Sequence, residues 1–348
     1  MTSSKLFNMF KFLLIFVIAF SQQSFSQIPL SFSGTLTRKL DNPTHQKVTL
    51  MHVQLTREME KTLKKNAQAF PFTVQKSHAS SIQLGMHDVP VQDQGPHGSC
   101  VTFASMAAIN ALSGQSFSEL CSLSLGQYLA ENGFQSSGWD GQSIRQVLSR
   151  LDDFGIVSLS QQKNMGCGGM TEYPAQSLSI SEPTSPVLYK TMSQSLQSAG
   201  VDSWSNFYDI NQWLYQTIPA AQILNHTKEA LRHEHRVLIG VLIPGMFGGV
   251  GALGQHHVAN DTWIFTQNIE NAINDIEHNT WLWGGHAMVI TGYDDDAVAI
   301  DEQGHPHQGL FTLRNSWGSQ AGDHGDYYMS YDYFMHLTVE LEEIWGNN

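Results

Sequence analysis

Cys100 closes the run Gln94-Gly95-Pro96-His97-Gly98-Ser99-Cys100 and opens an apolar, Ala-rich stretch that reads as a helix. Far downstream stand Gly284-Gly285-His286-Ala287-Met288 and Arg314-Asn315-Ser316-Trp317-Gly318. A loop containing Gly and Pro delivers the thiol onto the first turn of a helix, where the dipole favours thiolate. A thiolate nucleophile needs a histidine that presents one ring nitrogen to the sulfur. His286 follows two glycines, which let other backbone come close. Asn315 can hold the other ring nitrogen through its side-chain carbonyl and so fix tautomer and orientation. Trp317 would shield that hydrogen bond from water, and Gln94 is placed to help stabilise an oxyanion. Each residue alone reads as core packing. Together they read as a nucleophilic cysteine site.

These residues need elements to hold them. Cys100 to Leu112 predicts a helix ended by Gly114, with Phe103, Ala104, Ala107, Ala108 and Leu112 on a close-packing face. A second helix is expected over Gln142 to Phe154, stopped at Gly155. The stretch from Gln176 to Trp213 is rich in Ser and Gln and weakly periodic. Thr227 to His235 reads as helical and Val237 to Ile243 as a buried strand ended by Pro244. Residues 245–254 form a Gly-rich loop, with a helix expected over about 264–276. Strands then dominate, over Ala287 to Tyr293, Leu310 to Arg314 and Tyr327 to Ser330. Helices first and strands later imply two lobes with a cleft between them.

Ahead of this lies a different kind of segment, residues 27–84. Phe32, Leu36 and Leu40 alternate with polar residues up to the turn Asp41-Asn42-Pro43, and Lys47 to Leu55 resumes as a strand, which predicts a hairpin. Thr56 can cap a helix with Glu58 and Glu60 in its first turn and Lys61, Lys64 and Lys65 towards its end. Its apolar stripe of Leu55, Met59 and Leu63 is too narrow to stand alone, so the segment must dock on the rest of the chain.

With 348 residues, 41% hydrophobic and 14% charged, the chain can bury a sizeable core. A net charge of −13 with no basic face argues against nucleic acid as a partner. The histidines, of which His233/His235 and His256/His257 lie closest, lack the Cys or carboxylate company of a zinc site, so no metal is expected. Lys5 and Lys11 precede the short apolar run Phe12 to Phe20, and small residues end at Ser26. This is the layout of a signal peptide over residues 1–26, too short for a comfortable membrane span, with an uncleaved anchor as the alternative. Export is expected, with no stable membrane association after cleavage. In an oxidising compartment Cys121 and Cys167 could pair, leaving Cys100 as the odd thiol of three.

Gln94…Gly98-Ser99-Cys100, then Gly285-His286-Ala287, then Asn315-Ser316-Trp317-Gly318, resembles the papain-like cysteine peptidases, over roughly residues 85–335. Gly325-Asp326-Tyr327-Tyr328-Met329-Ser330-Tyr331-Asp332-Tyr333 is similar to the closing strand of bacterial members. The resemblance implies an α+β fold with a helical left lobe, a β-rich right lobe and the site between them, in a catalytic domain over 85–348. It implies Cys100 as nucleophile, His286 as acid/base, Asn315 as orienting residue and Gln94 as oxyanion donor beside the Cys100 amide. No cofactor is called for, and the partner is a peptide or protein substrate.

The chain departs from the family's pattern in a coherent way. Ser137-Gly138-Trp139-Asp140-Gly141-Gln142 resembles the family's Gly-Cys-x-Gly-Gly stretch, with Trp139 at the half-cystine and His97 at its partner. Both halves of one disulfide are therefore missing together. Gly141, Gln142 and Gly285 fall where substrate backbone runs, with Gln142 in place of a glycine. The later Gly166-Cys167-Gly168-Gly169 copies the letters of that motif in the wrong place. The chain between Cys100 and His286 exceeds the roughly 130–150 residues usual in the family, with the excess in 176–225 and 245–281. The expectation is an exported thiol peptidase, with residues 27–84 an inhibitory prosegment acting as an intramolecular partner. Family prosegments are mostly helical, so a hairpin would be a departure. An acyltransferase or transpeptidase on the same scaffold, or a non-catalytic binding protein, are the alternatives.

Overall fold

The computed structural model describes residues 30–40, 46–68, 80–175, 182–244, 261–278, 282–301 and 303–346. The expected signal peptide, the turn Asp41-Asn42-Pro43 and the Gly-rich stretch 245–254 lie outside them. The first elements are the strands β1 (Ser31–Lys39) and β2 (Lys47–Gln54), an antiparallel pair with Thr37 opposite Thr49. Helix α1 (Arg57–Ala67) follows, its Met59 amide donating to the Thr56 side chain at 3.2 Å. As the narrow stripe requires, α1 buries Met59, Thr62, Leu63 and Ala67, and Thr62 donates to the Leu214 carbonyl. A short strand, β3 (Ser81–Gln83), completes the N-terminal part.

The helical lobe holds α2 (Cys100–Ser113), α3 (Glu119–Glu131), α4 (Ile144–Phe154), β4 (Ile156–Val157), α5 (Leu159–Met165), α6 (Pro186–Met192) and β5 (Ser193–Gln194). Gly114 ends α2 with a left-handed φ of 65°, and Ser143 starts α4 with a full capping box to Gln146. A disulfide joins Cys121 on α3 to Cys167 beyond α5, and Cys100 is free and buried.

The sheet lobe follows with β6 (Val201–Tyr208), α7 (Ile210–Tyr215), α8 (Ala220–Arg232), β7 (Arg236–Ile243), β8 (Thr262–Trp263) and α9 (Gln267–Asn274). It closes with β9 (Trp283–Ile300), β10 (Pro306–Arg314), β11 (Asp326–Ser330), α10 (Tyr331–Leu337) and β12 (Thr338–Gly346). Strand order is β6-β12-β7-β9-β10-β11-β8, antiparallel throughout except for β11 with β8. β7 is buried at every position, which is why it reads as an unbroken apolar run.

β9 organises the molecule because it is long and serves several partners. β7 pairs with its residues from Gly284 to Ile290, and β10 with those from Val289 to Ile300. β3 pairs with Gly292 to Asp294, and β2 pairs with Trp283 to Gly285. The N-terminal hairpin is thus stitched to the strand that carries His286, one residue before it. The two glycines allow this: a Cβ on Gly284 would come within 2.8 Å of Leu50, and one on Gly285 within 2.9 Å of Val53.

Candidate active site

The sheet supplies the histidine side. Antiparallel pairing of β9 with β10 brings Asn315, just past the end of β10, back to His286. The His286 Nε2–H donates to Asn315 Oδ1 at 2.7 Å. In that tautomer Nδ1 is the ring's acceptor, and it is buried with no hydrogen-bond partner. Trp317 stacks on the imidazole at 4.4 Å between centroids and 26° between planes, and is itself 1% exposed. It therefore keeps water from the His286–Asn315 bond, as its position after Asn315 predicts.

The helical lobe supplies the thiol. Cys100 is the first residue of α2, and its sulfur lies within hydrogen-bonding range of the Ala287 backbone, beside His286. Both side chains are wholly buried. Burial pushes the thiol up to about 12, against smaller opposing contributions from backbone hydrogen bonds of Ala287, Val101 and Cys100. Burial likewise pulls His286 down to about 4, with Asn315 acting in the other direction. Burial thus favours the uncharged form of both groups.

Gln94 bridges the two walls. Its backbone amide donates to the Ser316 carbonyl at 2.9 Å, and its Oε1 accepts from the Ser316 hydroxyl at 2.8 Å. Its Nε2 donates to the His97 carbonyl at 2.8 Å and to the Thr49 carbonyl at 3.2 Å. Thr49 belongs to β2. One donor contact of that side-chain amide is therefore to a carbonyl of the N-terminal hairpin.

The rest of the hairpin follows the same path. Gln46 donates to the Trp317 carbonyl at 2.6 Å, and Met51 pairs with Gly285. Phe32 packs on Gly141, where a Cβ would lie 2.9 Å from the ring, and Thr35 lies against Gly98. From Trp317 to Gly141, β1 and β2 fill the space between the walls. Beside them a cavity of about 650 Å³ opens between Phe32, Ser143, Arg145, Arg150, Asn206 and Glu340. Glu340 ties the lobes together by accepting the Ile144 and Arg145 amides at the start of α4, at 2.9 and 3.1 Å.

The positions that depart from the family pattern are accounted for. His97 and Trp139 meet edge to face at 5.1 Å, and Gly98 donates to the Trp139 carbonyl at 2.7 Å. An aromatic contact stands where the resemblance places a disulfide. Tyr173 joins it, stacked on Trp139 at 5.8 Å and edge-on to Phe103 at 4.9 Å. Gln142 is 1% exposed and turned inward, donating to Thr102 Oγ1 at 2.8 Å and accepting from Arg150 at 3.1 Å. Its amide occupies space that a Cβ on Gly138 would fill. Gly141, with φ of 121°, presents bare backbone to the cleft. Sequence alone assigned no role to Thr49, Tyr173, Glu340 or, within its motif, Ser316. Among the described residues no group of three or more His, Cys, Asp or Glu could hold a metal ion, and no helix is long and apolar enough to cross a membrane.

Residues 181–342 match the model of the Peptidase C1-like family, a stretch that contains both His286 and Asn315. Among solved structures, it is similar to xylellain, a cysteine protease from Xylella fastidiosa, at 19% identity and a TM-score of 0.49, covering 82% of this chain and 90% of that one. Procathepsin L 3 of the Tenebrio molitor larval midgut matches at 16% identity and a TM-score of 0.46, over 83% and 79% of the two chains. The ragweed pollen allergen Amb a 11, a cysteine protease in its proform, matches at 14% and 0.44, over 78% and 67%. No curated protein matches this chain.

Proposed function

We propose that this chain is the latent precursor of an exported cysteine peptidase. Cys100, as thiolate, attacks a substrate amide carbonyl, and the developing oxyanion is taken by the Cys100 amide and Gln94 Nε2. His286 protonates the leaving amine, then activates the water that hydrolyses the thioester, while Asn315 holds the ring in register. The residues around β1 and β2, within 27–84, act as the inhibitory prosegment. One observation carries this reading: the Thr49 carbonyl sits on the Gln94 side-chain amide, where a scissile carbonyl would go. Neutral thiol and neutral imidazole beneath the hairpin fit a resting state.

Removing the hairpin lets water reach both groups, which lowers the thiol pKa and raises that of His286, the direction that forms the reactive pair. The test compares chains beginning at Gln27 and at Ser80 on one fluorogenic peptide, the later start keeping β3 on β9. Turnover should rise at least tenfold in the shorter chain and vanish with Cys100→Ala. A folded shorter chain no more active than the longer one would leave residues 27–79 as a structural part of the enzyme.

A further inference from the structure

We infer that Tyr173 is a positioning residue for the oxyanion hole, acting through Ser99 and Gln94; the inference rests on the peptidase reading above. Ser99 is the N-cap of α2, and an N-cap serine ordinarily spends its oxygen on an amide of the first turn. Ser99 makes no such cap bond. Its hydroxyl instead pairs with the Tyr173 hydroxyl at 2.9 Å, and that hydroxyl donates to the Gln94 backbone carbonyl at 2.9 Å. Tyrosine has one proton to give and gives it to Gln94, so Ser99 must be the donor of the first bond. The chain of bonds runs one way, from Ser99 through Tyr173 to Gln94.

This has two effects on the donors that would meet an oxyanion. It draws the Ser99 oxygen away from the α2 N-terminus, leaving the first-turn amides, including that of Cys100, uncapped by that side chain. It also ties the backbone of Gln94, which carries one donor, to the residue preceding Cys100, which carries the other. Their separation is then set by one rigid side chain rather than by the Gly95–Gly98 loop between them. The ring is held on three sides: stacked on Trp139, and edge-on to Phe103 and to His97, the last at 5.8 Å. The next residue, Pro174, accepts from His97 Nε2 at 2.8 Å, so the backbone around Tyr173 is pinned to the same loop. Burial raises the phenol pKa, which keeps the bridging proton in place.

Tyr173→Phe keeps the ring and removes the bridge. The experiment measures wild type and Tyr173→Phe as full chains, each before and after limited proteolysis, with three readouts. On a fluorogenic peptide, kcat should fall on the order of tenfold while KM stays within twofold. The inhibition constant of a peptide aldehyde, whose adduct carries the oxyanion, should rise by a similar factor. Alkylation of Cys100 by iodoacetamide, which forms no oxyanion, should keep its rate and pH profile. Ser99→Ala, which cuts the other end of the bridge, serves the same comparison if Tyr173→Phe does not fold.

Equal kcat and equal aldehyde affinity in variant and wild type would overturn the assignment. So would a parallel fall of turnover, alkylation and melting temperature, which marks a merely structural role. A wild type that hydrolyses nothing in either form would overturn the peptidase reading, and the assignment with it.

Discussion

The two walls of the cleft are built by opposite means. His286 and Asn315 stand on a backbone ladder, with Leu313 opposite Ile290 and Arg314 opposite Val289. The loop from Gln94 to Ser99 has no ladder beyond a single bridge of Asp93 to Trp317; two isolated backbone bonds, from Gln94 to Ser316 and from Gly98 to Trp139, and the side chains of Tyr173, His97, Trp139 and Ser316 fix it. A ladder spreads a disturbance over many bonds, whereas a side-chain cluster concentrates it on a few. Chemistry that needs sub-ångström placement is thus held by cooperative structure on one side and by individual contacts on the other. Damage to each wall should look different.

The largest effect should come from the histidine wall. His286→Ala in the shortened chain should lower kcat/KM on the order of 10⁴-fold, about 5.5 kcal/mol of transition-state stabilisation. A loss of tenfold or less, measured on the same fluorogenic peptide, would mean that another group moves the proton.

On the cysteine wall, loss of an aromatic partner should act on stability. Trp139→Ala should lower the free energy of unfolding by about 3–5 kcal/mol, read from denaturant midpoints. His97→Ala added to it should cost less than it does alone, by about 0.5–1.5 kcal/mol, because the two rings form one contact. Strict additivity would show that the pair does not act as the clasp its geometry suggests.

The smallest effect is a pH dependence of the histidine wall. The folded chain holds His286 neutral down to about 4, below its ordinary 6.5, so the unfolded chain binds the proton first as pH falls. The stability this contributes is complete above pH 6.5 and is lost between 6.5 and 4, at about 1.4 kcal/mol per pH unit. Comparing the full chain with its His286→Gln variant across that window isolates the contribution. Parallel stability curves would show that His286 is not held neutral under the hairpin.

What the sequence disclosed about the fold and this site follows the same division. Periodic or uniformly apolar runs announce themselves, so α2, α4, β7 and the hairpin were legible, as was the cap at Thr56. Helix α3 was not: eight consecutive residues from Glu119 to Gly126 are buried, leaving no stripe to find. β12 escaped because Glu340, Glu342 and Glu343 read as a solvated face yet are buried in the sheet. The 176–213 stretch gave α6, β6 and α7 from weakly periodic sequence, and the helix expected at 264–276 is the shorter α9. Cys100, His286, Asn315 and Gln94 were legible because glycines and order along the chain mark them. Tyr173 and Thr49 were not, since their roles arise only when distant segments meet.

The pairing of β2 with Trp283 to Gly285 has a consequence for the protein as a solute. If the hairpin leaves, that stretch of β9 becomes a bare edge, flanked by Leu282, which is already 47% exposed. Unprotected edges recruit other strands, including those of identical molecules. Two glycines there offer no side chain to fend off an approaching backbone. The remaining defence is mutual repulsion between molecules, which the excess of acidic over basic residues beyond residue 79 supplies and which salt would weaken. The freed form should therefore be colloidally less secure than the latent one, and most so near its isoelectric point.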